Sequence, residues 1–133
     1  MITSRFFLNI GTITIIVSCI QWMVIGVLMH KYQELTPGVW KTENKKSYMA
    51  STAADLLFAI FFTFIFLFWI KIAGKPGVAT AIKGAVVCWL AFSVAAEINS
   101  FIYINYDRRF FLGKLVSSLL EYTSSAIISV LIL

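Results

Sequence analysis

Residues 50–70 read ASTAADLLFAIFFTFIFLFWI, and Asp55 is the one charged side chain among them. About twenty apolar residues are what an α-helix needs to cross a hydrocarbon layer of about 30 Å. A helix is required there because lipid offers no partner to open backbone N–H and C=O groups. Phe58–Trp69 is apolar on every side, so it is expected to face lipid on one flank and protein on the other.

The rest of the chain repeats the theme. Three more tracts of this kind run over 6–29, 84–104 and 115–133. The chain has 133 residues, 60% of them hydrophobic and only 13% charged. Its mean hydropathy is +0.90. An ordinary soluble domain carries about 25% charged residues. The composition therefore excludes a soluble enzyme, a disordered chain and a disulfide-bonded secreted scaffold. It predicts an all-α membrane protein, an antiparallel bundle of four transmembrane helices in a single domain, 1–133. The first tract resembles a signal peptide but continues past Cys19 to Met29, too long for a signal core, and is read as a retained helix.

The connections carry the turn residues and the charge. Residues 30–49 hold Thr36-Pro37-Gly38, residues 71–83 hold Gly74-Lys75-Pro76-Gly77, and residues 105–114 hold Asp107-Arg108-Arg109. The net charge of +5 lies almost wholly between the tracts, where it meets lipid headgroups; nucleic acid is not an expected partner. Loops one and three share one face with Lys31, Lys41, Lys45, Lys46, Arg108, Arg109 and Lys114. Arg5, Lys71, Lys75 and Lys83 lie on the other. Seven cations against four place loops one and three in the cytoplasm. Most Trp and Tyr residues fall near tract ends, as an interfacial belt would. Cys19 and Cys88 lie at depths differing by about 8 Å at a rise of 1.5 Å per residue, which disfavours a disulfide.

Polar residues within the tracts recur at helical spacing. Gly11, Thr14, Ser18 and Gln21 mark helix one, and Thr52, Asp55, Ala59 and Thr63 mark helix two. Ser93, Glu97 and Ser100 mark helix three, with Ala96 and Asn99 beside them. Ser117, Glu121, Ser124 and Ser125 mark helix four. Counted from the ends that share loops one and three, Gln21, Asp55, Glu97 and Glu121 lie about 7–12 Å deep. They are expected to form one polar layer in that half of the bundle. Asn99, Trp22 and Trp89 are candidates for its walls. His30, Arg108, Arg109 and Lys114 are candidate charge partners reaching inward. The layer either holds the helices together through hydrogen bonds and ion pairs or lines a pocket. The spacings Gly77-x6-Gly84 and Ala91-x3-Ala95 read as close helix packing.

No catalytic constellation emerges. His30 is the single histidine, so zinc, haem and iron–sulfur sites lack ligands. No cofactor is expected, and an all-carboxylate divalent site from Asp55, Glu97 and Glu121 is a weak alternative. There is no phosphate-binding loop or nucleophile elbow.

Trp22 and Tyr32 near the close of helix one, Trp40 in the long first loop, and the series Gly77, Gly84, Trp89, Phe92 resemble a family of small bacterial four-helix membrane proteins of unknown function. The run Arg108-Arg109-Phe110-Phe111 leading into helix four is similar too. The resemblance implies a bilayer location, in a bacterial inner membrane, and four helices; it implies no residue roles.

Three functional classes remain. The first is a subunit of a membrane complex or a binder of a small amphipathic ligand or lipid, with a partner protein or a second copy. The second is an oligomeric proton- or cation-coupled transporter using Glu97. The third is an intramembrane enzyme acting on a lipid or quinone. The first is the preferred expectation.

Overall fold

A computed structural model describes residues 2–40 and 44–133. Lys41 and Glu43 of the first loop lie outside them. The described residues form helices joined by short turns, without strands. The elements are α1 (Ile2–Gln21), α2 (His30–Gln33), α3 (Lys45–Ala73), α4 (Val78–Cys88), α5 (Ala95–Tyr103) and α6 (Arg108–Ile132). Wider π-helical turns, Trp22–Leu28 and Trp89–Val94, extend α1 and join α4 to α5. Four stretches are long and apolar enough to span a membrane: Thr3–Leu28, Lys45–Ala73, Val78–Tyr103 and Arg108–Ile132. The chain is an all-α, multi-pass membrane protein.

The helices outrun the apolar tracts because capping residues, not hydropathy, set their ends. Asn44 caps α3 by accepting from the Ser47 N–H at 3.0 Å. Asp107 caps α6 by accepting from the Arg109 N–H at 2.7 Å. The third span begins at Val78, directly after Pro76-Gly77, rather than at Gly84. α3 ends on Gly74, whose φ of 81° lies where side chains other than glycine are strained.

The Asp107 carboxyl is held below its ordinary pKa by hydrogen bonds from the Arg109 side chain and backbone. A depressed folded pKa lends stability that is present above the unfolded value and lost as pH falls through the folded one. Amide protection at Phe110 and Phe111 is expected to decline as pH falls below the ordinary carboxylate range and through the lowered Asp107 pKa. The same titration on Asp107→Asn is expected to be flat; an equal decline in both would exclude Asp107 as the source.

α6 is the hub of the bundle. It packs along α1 and α4 and touches both π-helical segments, while α3 lies mainly along α1. Its inward stripe is unusually polar: Ser117, Glu121, Ser125 and Ser129 follow one another at i+4, and all are buried. Small side chains let helices approach closely where lipid supplies no hydrophobic drive.

Two apolar clusters complete the core. Ile10, Ile13, Val17 and Ala59 join α1 to α3. Phe66, Ala81, Ala85 and Ala126 join α3, α4 and α6. The small-residue contact on the third span is thus Ala81-x3-Ala85. Ala91 and Ala95 are exposed, a correction to the expected packing pair, because the π turns over Trp89–Val94, which include Ala91, change the angular step along the helix. A Cβ on Gly84 would meet the Trp69 ring at 2.6 Å, so glycine there leaves room for the Trp69 ring of α3 to pack on α4.

Between the two clusters and the termini sits a polar node. Asn9 is fully buried, and its Nδ2 donates to Thr63 Oγ1 at 3.0 Å and Ser129 Oγ at 3.2 Å. It joins α1, α3 and α6 in one contact. Its Oδ1 has no hydrogen-bond partner. Interhelical hydrogen bonds in membranes contribute about 0.6 kcal/mol each on average. Asn9→Ala, which removes both and leaves a void, is expected to lower stability by about 1–2 kcal/mol in steric-trap or SDS unfolding. Asn9→Leu is expected to recover part of that loss, since it fills the void and removes the unpartnered oxygen.

Candidate functional site

At the other end the bundle opens. Loops one and three meet there: Trp40 lies 4.7 Å from Phe110 and 5.9 Å from Tyr106, ring centre to ring centre. Asn44–Ala54, at the start of α3, is exposed along its whole length. Among the described residues no extensive packing joins α3 to α5 or to Trp89–Val94. The two spans touch near the 74–77 turn, where Phe66 and Trp69 reach α4, and part toward loops one and three.

The space between them is a cavity of about 630 Å³, lined from all four spans. Ser18, Gln21, Trp22, Ile25 and Gly26 come from the first span, and Ser47, Tyr48, Ser51, Thr52 and Asp55 from the second. Ser93 and Glu97 come from the third, and Lys114, Ser117, Ser118 and Glu121 from the fourth. Asp55 lies ten residues into α3, about 15 Å from its start at 1.5 Å per residue. The cavity therefore reaches about three helical turns below the exposed start of α3.

Each carboxyl has its own arrangement. Asp55, only 4% exposed, accepts from Ser18 Oγ at 2.6 Å. Glu121 accepts from Ser117 Oγ at 2.8 Å, one turn back on α6, and the Gln21 amide faces it. Glu97 pairs with Lys114 Nζ at 2.5 Å. The Lys114 ammonium also stands 5.6 Å from the centre of the Tyr106 ring. Tyr106 is buried, and its hydroxyl has no hydrogen-bond partner. Burial, and then the Glu97 charge, push the Tyr106 phenol above its ordinary pKa.

Below this layer the bundle closes. One turn deeper lie Val17 on α1 and Ala59 on α3, then Ile13, all essentially without exposure. They separate the cavity from the Asn9 node. The cavity has an opening on one side of the membrane and a floor that is apolar on α1 and α3, while on α6 the buried Ser125 at this level turns its hydroxyl to the Glu121 carbonyl.

Gln21, Asp55, Glu97 and Glu121 do line one cavity, and Trp22 borders it with a ring that is 69% exposed. Trp89 does not line it, but donates Nε1–H to Ser118 Oγ, a cavity residue, at 2.9 Å. Asn99 is exposed and outside the lining; it lies two residues from Glu97, a step of about 200° around a helix. Of the four charge partners only Lys114 reaches the acids. His30 pairs with Glu34 at 3.6 Å. Arg109 turns to Asp107 and stacks over Tyr32 at 4.7 Å. Arg108 is exposed, on the opposite side of α6's first turn from the cavity residues. Among the described residues, no group of three or more His, Cys, Asp or Glu could hold a metal ion.

The expected stripe on helix one needs correction as well. Gly11 is exposed, and Thr14 donates its hydroxyl to the Ile10 carbonyl of its own helix. The inward positions are Asn9, Ile13, Val17 and Val24. Sequence reading missed Asn9, Ser129 and the outer serines Ser47 and Ser51. The i+4 series 117, 121, 125, 129 was a usable signal for Ser129; nothing distinguished Ser47 from an ordinary loop residue or Ser51 from an ordinary residue at a tract end.

Comparison with known proteins finds no similar family model, curated protein or solved structure for this chain.

Proposed function

We propose that the chain is a non-enzymatic membrane protein that binds a small amphipathic molecule in the cavity between its spans, on its own or as a subunit of a larger membrane assembly. The observation that carries this reading is the cavity itself: polar groups from four spans around a space of about 630 Å³, floored by Val17, Ala59 and Ile13. That volume is in the range of small-molecule sites, which combine apolar walls with a few placed polar groups. The excess of cations on loops one and three supports a cytoplasmic opening, and the resemblance to the bacterial four-helix family supports an inner-membrane location. Between 11% and 33% of each span's apolar window is buried, which leaves ample surface for a partner helix or a second copy.

The transport reading is less well supported. It requires Glu97 to exchange a proton or cation along a path, yet Glu97 is engaged by Lys114 and the path ends at the cavity floor.

Native mass spectrometry after gentle extraction tests the proposal. The expected result is a chain that retains one small amphiphile or a partner subunit. A bare monomer under every extraction condition would overturn it.

A further inference from the structure

We infer that the cavity selects an amphiphile with a positively charged head, of the alkylammonium class, whose tail leaves through the gap between α3 and α5. This rests on the binding reading above and adds the charge and the exit of the ligand.

The charge follows from how the ionisable groups are matched. Three acids and one base line the cavity: Asp55, Glu97 and Glu121 with Lys114. Lys114 and Glu97 neutralise one another. Asp55 and Glu121 are 4% and 8% exposed, and among the described residues neither has a Lys, Arg or His within ion-pairing distance. Each receives a serine hydroxyl, from Ser18 and Ser117. A carboxylate has about four acceptor positions, so one hydroxyl, even with the Gln21 amide beside Glu121, leaves capacity that faces the cavity. Carboxylates buried this deeply without a cation are costly, and elsewhere in membranes such groups pair with one another, with bases or with a ligand. An ammonium head supplies the missing charge. Trp22, which borders the cavity from the first span, adds an aromatic ring to its lining. An anionic head would find its one cation already engaged.

The tail's route follows from the packing. α3 and the third span separate above the Phe66–Ala81–Ala85 cluster, and among the described residues no side-chain cluster bridges them at the level of Asp55 and Glu97. A polar cleft open to acyl chains suits a molecule whose head is polar and whose remainder belongs to the bilayer.

Three amphiphiles sharing one brominated dodecyl tail, with trimethylammonium, sulfate or maltoside heads, test this on the full chain in phosphatidylcholine nanodiscs. Bromine quenches nearby Trp, and the Trp22→Phe variant subtracts the other three indoles. The expected result is saturable quenching by the ammonium compound alone. The double variant Asp55→Asn/Glu121→Gln, checked for folding by circular dichroism and gel filtration, should weaken it at least about tenfold. Asp107→Asn, which removes an acid outside the cavity lining, should leave it within about twofold. Stronger binding of the sulfate, equal binding of all three heads, or undiminished ammonium binding by a folded acid-free variant would overturn the charge assignment and leave the cavity as a binding site. No saturable quenching by any of the three would overturn the binding reading as well.

Discussion

Replacing Lys114 by Met is expected to lower stability by about 1–3 kcal/mol, because it leaves Glu97 without its cation at membrane depth. Breaking a fully buried pair costs about 3–5 kcal/mol. The side chains here are 30% and 19% exposed, so part of that cost is screened by solvent. The double variant Lys114→Met/Glu97→Gln separates the pair from the positions. It is expected to recover at least half of the loss, since no unpaired charge remains. Reversible unfolding in mixed micelles measures both. A double variant no better than the single would show that Lys114 acts through packing on Tyr106 rather than through Glu97.

Phe110→Ala is expected to cost about 3 kcal/mol, the usual range for emptying a buried Phe site. Phe110 is 2% exposed and is gripped by Trp40 at 4.7 Å and Tyr106 at 5.8 Å. These contacts hold loop one against the start of α6. Trp40 emission should shift to the red in the variant as that ring meets water, while Phe110→Leu should keep most of the stability. Loss of less than about 1 kcal/mol with unchanged Trp40 emission would mean that the two loops are not fastened here.

The number and kind of spans were legible in the sequence because lipid permits few alternatives: tracts of that length and composition must be helices. The acidic layer was legible too, since depth follows from counting residues along a straight helix. What escaped was rotation. In helix one the stripe was phased on Gly11 and Thr14, which are neutral choices in a lipid-facing helix, and so missed Asn9. In the third span the π turns add residues per turn, so i+3 and i+4 arithmetic fails across Trp89–Val94, and the Ala91–Ala95 face was misplaced. Charge partners were misassigned for a related reason. Arg109 and His30 have acidic neighbours two and four residues away, Asp107 and Glu34, and short-range pairs satisfy long side chains before distant ones do.

The floor under the cavity also determines how the membrane voltage is distributed. A vestibule filled from one side takes the electrical potential of that side, and the drop falls across the sealed half, from Val17 and Ala59 to the termini. A monovalent ion crossing the whole field gains or loses about 2.3 kcal/mol per 100 mV. A charge settling beside Asp55 crosses little of it, so occupancy there should be the same in polarised and depolarised vesicles.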